Sequence, residues 1–297
     1  MTTILPRSIR FALSLVALLT LVVLASPVGA HAAAATPSPG STGYDVSYPQ
    51  CGVSLPSDGS FAIVGVTDGL PWSTNPCLAH EYAWAASRSY SALYMNTANP
   101  APTSSFYWPQ SGSRDPALCI DSTSTVDGGC AYDYGWHAAA NALASAQAAI
   151  GPAAGTVDWW LDVEIGNSWN GDAFSNAADI QGSIDYLRSQ GIPAVGIYST
   201  SEQWSFVTGG YTVSNASTYA RQWAAAFVPR YPLVDSSDWV AGAPSLAAAA
   251  ASCGVGFTGG VTQFAQYGAG PFGTDLACPA SIPASRHIVP GIARDGL

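Results

Sequence analysis

"TVDWWLDVEIGNSW", Thr156 to Trp169, is the stretch on which the reading of this chain turns. An apolar run rich in strand-favouring residues ends in Asp162, Val163 and Glu164, and Gly166 and Asn167 then stop it. In an extended strand Asp162 and Glu164 point to one face, with Cα atoms about 6.6 to 7 Å apart at ~3.3 Å per residue. At the carboxyl end of a parallel strand they would stand where α/β barrels and open sheets build their sites. Two acids close together in a partly apolar mouth raise one another's pKa, so that one holds a proton while the other stays ionised. Glycoside hydrolysis needs that division of labour. An isolated D-x-E more often caps a helix or solvates a strand end, so the pair gains weight only from its surroundings.

Those surroundings alternate. The runs 43–47, 61–67, 92–96, 157–164, 194–199, 238–243 and 261–267 fit strands, and helices are expected near 77–89, 134–149, 174–190, 215–227 and 245–252. Alternation of this kind predicts an α/β fold with a parallel sheet, and strands apolar almost throughout are covered on both faces. The pattern leaves open sheet and closed barrel undecided. Residues 97–133 break the rhythm, with two cysteines and no helical or strand period. They read as a long insertion loop, either an ordered wall of the site or a stapled surface excursion.

The first 32 residues read as a secretory signal: Arg7 and Arg10 precede an apolar run from Phe11 to Ala25, with small-residue cleavage sites after Ala30 or Ala32. That run is shorter than the roughly 20 residues a spanning helix needs, so export is expected rather than stable membrane insertion. Residues 33–42 read as a flexible leader, and 43–297 as a single domain. In an oxidising compartment the six cysteines form three disulfides. Fifteen pairings are open; proximity along the chain suggests Cys51 with Cys77, Cys119 with Cys130, and Cys253 with Cys278.

Lysine is absent, and loss of the signal leaves seven arginines against nineteen acids, a net charge of −12. Nucleic acid is thereby an unsuitable partner, and an anionic wall or membrane would have to be held by local contacts rather than long-range attraction. "GVGFTG" from Gly254 and "GAGPFG" from Gly268 lack the strand-to-helix context of a dinucleotide site and read as turns. No histidine or cysteine spacing calls for a metal, and no motif calls for a cofactor. Ten tryptophans and fourteen tyrosines in a chain with 9% charged residues suggest sugar-stacking surfaces. Trp108, Trp136, Trp169, Tyr198, Trp204 and Trp239 fall at strand ends or loops where they would line a groove.

Together, "DVSYPQCG" (Asp45 to Gly52), "FAIVGVTDG", "WWLDVE", "AVGIYST", "QFAQY" and "FGTDL" resemble, in content and order, the lysozyme-like glycoside hydrolase family 25. The likeness runs from Gly43 to about Cys278. It implies an irregular (β/α) barrel and muramidase chemistry on peptidoglycan. Carried over residue by residue, it makes Glu164 the general acid and gives Asp162 the task of orienting the substrate's N-acetyl group or stabilising developing charge. Asp45 and Asp275 become the two further acids of the site. Tyr94, Asn96, Tyr198, Trp239, Gln263 and Tyr267 are the candidate substrate contacts. Two departures stand out: Gly65 occupies the place where the family usually has a lysine, and Tyr94 and Asn96 replace the expected tyrosine and histidine pair. The substrate wall is therefore expected to differ. Chitinase-like family 18 barrels also carry D-x-E, but Val157 and Trp160 stand where that motif needs aspartates. A non-catalytic glycan- or protein-binding barrel is the remaining alternative.

Overall fold

The computed structural model describes residues 36–102, 105–268 and 270–279. The expected signal at 1–32 and the stretch 280–297 lie outside them. Eight strands form a closed barrel in chain order: β1 (Thr42–Val46), β2 (Phe61–Gly65), β3 (Tyr90–Asn96), β4 (Asp158–Asp162), β5 (Val195–Ser199), β6 (Asp238–Ala243), β7 (Thr262–Tyr267) and β8 (Gly273–Ala277). Neighbours from β1 to β7 pair in parallel, while β8 runs antiparallel to both β7 and β1 and closes the ring. The antiparallel strand is a correction to the all-parallel expectation. Its five residues, GTDLA, are short and flanked by glycine and proline, a composition that reads as a turn.

Six α-helices accompany the strands: α1 (Leu78–Ala85), α2 (Gly128–Ile150), α3 (Ala173–Ser189), α4 (Ser201–Thr208), α5 (Ala216–Trp223) and α6 (Leu246–Ala251). Two boundaries move from their expected places. The second half of the expected leader is part of the fold, since Gly40 N–H donates to Ala277 O and β1 begins at Thr42. The insertion ends at Asp127 rather than Asp133, because Asp127 caps α2 by accepting from the amides of Gly129 and Cys130. The glycines that follow the cap hide the helix start from a propensity reading.

Strand alternation sorts the side chains into two cores. Phe61, Ile63, Tyr90, Ala92, Trp160, Trp239, Phe264 and Ala277 fill the barrel interior. Leu93, Met95, Trp159, Leu161, Val163 and Ile197 point outward against the helices. Trp108 and Trp204, expected at a groove, belong to this outer core and are buried. Three disulfides join Cys51 to Cys77, Cys119 to Cys130 and Cys253 to Cys278. Among the described residues no helix is long and apolar enough to cross a membrane.

Helices α2 and α3 cross at reciprocal glycines. A Cβ on Gly135 would fall 2.0 Å from the carbonyl oxygen of Asp179, and one on Gly182 would fall 2.1 Å from that of Tyr132. Gly135→Ala gains helix propensity of about 1 kcal/mol, yet it forces the helices apart, an overpacking cost of about 1–3 kcal/mol or more. A net loss of stability in urea denaturation is expected; a gain would refute the close approach.

Acids are also buried away from the mouth, in α2, in α3 and at the start of β6. Asp179 is pushed well above the carboxylate range by loss of water alone, Asp133 up to about 6, and Asp238 up to about 8, in each case chiefly by burial. A carboxyl whose folded pKa is raised stabilises the fold fully below its unfolded value of about 4 and loses that contribution as pH rises through the folded value. Thermal melts are therefore expected to show a higher Tm at pH 5 than at pH 8.5, most of the fall occurring above pH 5; a Tm that climbs over this interval would contradict it.

Candidate active site

The carboxyl ends of the parallel strands form a mouth in which acids stand at two levels. Asp162 is the last residue of β4, with its side chain turned into the barrel beside those of Trp160 and Asp158. Glu164 lies two residues further on and is half-exposed. Asp275 of β8 pairs in register with Gly43 of β1 on one side and Gln266 of β7 on the other. It is fully buried, while Asp45, near the end of β1, reaches the opening. A Cβ on Gly273 would fall 1.7 Å from Asp45 Oδ2, so only glycine leaves room for this carboxylate. All four acids expected at the site thus converge on one mouth, Asp162 and Asp275 below, Glu164 and Asp45 above.

Neutral donors surround them. Asn96 Nδ2 donates to Asp162 Oδ2, and Asn96 is itself oriented by Thr67, whose hydroxyl donates to Asn96 Oδ1 at 2.7 Å. Trp239 Nε1 donates to Asp275 Oδ1 at 2.7 Å. Gln266 Nε2 donates to Asp45 Oδ2 at 2.8 Å, and Tyr198 OH donates to Gln266 Oε1 at 2.8 Å. The sole ion pair among the described residues, His137 with Asp115, lies elsewhere. Among the described residues no cation therefore balances the four carboxyls, and loss of water is the largest influence on each.

The result is graded. Asp162 is pushed well above the ordinary range by burial, and then by the charges of Glu164 and Asp45. Asp275 is pushed well above it by burial and the charge of Asp45. Glu164 and Asp45 are also raised by burial, but hydrogen bonds hold them back, from Gln203 and Asp162 for Glu164 and from Gln266 and Asp275 for Asp45. The lower acid of each pair is therefore held further above the ordinary range than the upper one. Asp162 Oδ1 and Asp275 Oδ2 are buried and accept no N–H or O–H, as fits oxygens that carry protons. The arrangement can hold a proton on a half-exposed carboxyl above the usual pH and stabilise the carboxylate left when that proton departs.

The expected contacts divide. Tyr94, Asn96 and Tyr198 face the mouth, while Trp239 lies buried beneath it, with the rings of Tyr94 and Tyr198 packed against it at centroid distances of 6.0 and 4.4 Å. Gln263 and Tyr267 do not, because Phe264 fills the interior and the strand's period of two sends positions 263, 265 and 267 outward, Tyr267 packing with Ala265 and Leu276. Gln266 is the residue of β7 that reaches the acids, and the alternation around Phe264 is the signal that would have found it. At Gly65 a Cβ would lie 2.5 Å from that of Ser47 and 2.8 Å from Cζ of Tyr94, so the tyrosine ring occupies the space a longer side chain would need. Trp169 anchors the loop after β4, donating from Nε1 to the carbonyl of Glu164 at 2.8 Å. Among the described residues one group has the spacing of metal ligands, Cys51, Cys77 and Glu81, but its two sulfurs form a disulfide.

No family model matches the chain. Over 53 residues it is 38% identical to a protein named probable GH family 25 lysozyme 5 of Dictyostelium discoideum, a match covering 18% of this chain and 24% of that protein. The chain thus spans about a quarter of the length of this curated relative. Among solved structures it is similar to a bacterial lysozyme from Streptomyces coelicolor, with 17% identity and a TM-score of 0.45 over 81% of this chain and 93% of that one. A muramidase from Trichobolus zukalii gives 14% identity and a TM-score of 0.43 over 80% and 94%. The chain is similar to this one family 25 lysozyme in a short run of sequence, and its barrel is the irregular α/β kind that the resemblance implied.

Proposed function

We propose that this chain is a lysozyme-like glycoside hydrolase that cleaves the glycan strands of peptidoglycan, with Glu164 as its general acid. The observation that carries the reading is the two-level set of carboxyls at the barrel mouth, held without a cation among the described residues and with raised proton affinity. Sugar hydrolysis needs a carboxyl that is still protonated when it meets the glycosidic oxygen. Glu164 is the acid of the β4 pair open to solvent, and therefore to substrate. When it gives up its proton, Asp162 lies within reach to donate a hydrogen bond to the new carboxylate. Asp45, across the mouth, supplies a hydrogen-bond acceptor for the sugar or for water, and the buried Asp275 beneath it raises the proton affinity of that side of the site. Tyr94 and Tyr198 offer half-exposed aromatic rings to its apolar face.

The family-named relative supports the glycosidase class, and the likeness to lysozymes suggests peptidoglycan as substrate. Export is part of the proposal: three disulfides suit an oxidising compartment, and the first 30 or 32 residues would be removed on the way.

Release of reducing ends from purified peptidoglycan tests the reading. The protein from Ala33 onward is expected to release them, and Glu164→Gln to lower kcat on the order of a hundred- to ten-thousand-fold, the usual worth of a general acid, with an unchanged Tm. Unaltered turnover in the folded variant would remove Glu164 from this role. Glycan binding without turnover by either protein would favour a binding barrel.

The pH dependence follows from the same groups. Because burial raises Glu164, its acid form persists above the usual glutamate value of about 4.3. The alkaline limb of kcat/KM is therefore expected above that value, activity falling as pH rises through it, and Glu164→Gln should abolish this limb. A limb unchanged in the variant would assign it to another group.

A further inference from the structure

The insertion between β3 and α2 folds back onto the loop that follows β2 and forms a partly open cavity of about 210 Å³ against the first turns of α2. Trp72 from the β2 loop and Tyr107 from the insertion form one wall, their rings stacked 4.1 Å apart and within 4° of parallel. Pro109, Gln110, Ser113, Asp115, Asp133 and His137 line the rest. Loops that follow β2 and β3 leave the barrel on the face that carries the four acids, yet none of those acids borders this cavity.

Its polar groups are incompletely satisfied. Asp133 is 1% exposed; its Oδ1 accepts from the amide of Ala117 at 2.7 Å, while the buried Oδ2 has no partner. The buried hydroxyl of Ser113 has none either. Burial pushes Asp133 up to about 6, so at neutral pH it is largely ionised. His137, the only basic residue in the lining, is already engaged with Asp115, its Nε2 lying 3.0 Å from the carbonyl oxygen and 3.3 Å from the carboxylate. A buried carboxylate oxygen without a donor loses its water with no hydrogen bond to offset the loss. Trp72 adds a second cost, holding a backbone φ of +68° that bulky residues rarely adopt. Strain of this kind, on the order of 1–3 kcal/mol, concentrates at ligand clamps.

We propose that this cavity binds a primary ammonium group carried on a short apolar stem, such as the side-chain amine of a peptide. The ammonium has three N–H donors and no acceptor, which matches the free oxygen of Asp133, the hydroxyl of Ser113 and the carboxylate of Asp115. The stem lies along the Trp72 and Tyr107 wall, where a cation near an aromatic face gains further attraction. A neutral sugar hydroxyl would satisfy the oxygen but leave the charge unpaired. The site is independent of the glycosidase reading and would bind amine whether or not the four acids cleave a glycan.

Isothermal titration with Nα-acetyl-lysine amide, beside its Nε-acetylated form, tests the proposal on the intact protein. The free amine is expected to bind and the acetylated form to bind at least tenfold more weakly. Asp133→Asn keeps the Ala117 contact and should weaken amine binding by at least tenfold, with Tm and near-ultraviolet circular dichroism as checks on folding. Tyr107→Ala, at a half-exposed position on the wall, should weaken it several-fold and serves as the test should the first variant unfold. Absence of amine binding at millimolar concentration, equal binding of both forms, or binding indifferent to the folded variants would overturn the assignment.

Discussion

One reversed strand holds the site together. β8 enters between β1 and β7 and runs against both, converting seven parallel strands into a ring with no open edge. Its register sets Asp275 beside Gln266 and Gly273 beside Asp45, so the same five residues close the sheet, supply one acid and clear space for another. A parallel eighth strand would point its carboxyl end toward the mouth like the rest. The antiparallel one presents its first half there, which is why a glycine and an aspartate two residues apart serve it.

The second constraint is electrostatic. The mouth gathers four carboxyls into a protein of net charge −10, where neutral donors rather than cations meet them. Water is what they lose, and dipoles aimed at single oxygens are what they gain. Such donors stabilise a carboxylate less than a guanidinium would, and the acids respond by holding protons. A lysine at Gly65 would have introduced a fixed charge near this cluster, but the ring of Tyr94 excludes it. The polar character of the mouth therefore arises from a missing side chain as much as from those present.

Much of this was legible in the sequence. Strands β1 to β7 betrayed themselves through apolar runs bounded by turn residues, and the D-x-E spacing forced Asp162 and Glu164 onto one side of their strand. What escaped did so for identifiable reasons. Helix α4 begins directly after β5, its Thr200 cap accepting from Gln203, so no loop composition separates strand from helix. β8 is too short and too rich in turn formers to display a period. In β7 a shift of one position exchanges Gln266 for its outward-facing neighbours, and only knowing that Phe264 points inward decides the matter. Closure itself is a property of all the strands together and has no local signature.

The position of β8 along the chain governs when the molecule can become whole. Thr42 pairs with Leu276, so the ring joins residues from the two ends of the barrel sequence, a contact whose loop-closure entropy must be met before the sheet repays it. A fragment that stops short of Gly273 holds Asp45, Asp162 and Glu164 but neither Asp275 nor a strand between β1 and β7. A chain without β8 thus has three of the four acids but lacks the strand that joins β1 to β7 and brings the fourth beside them.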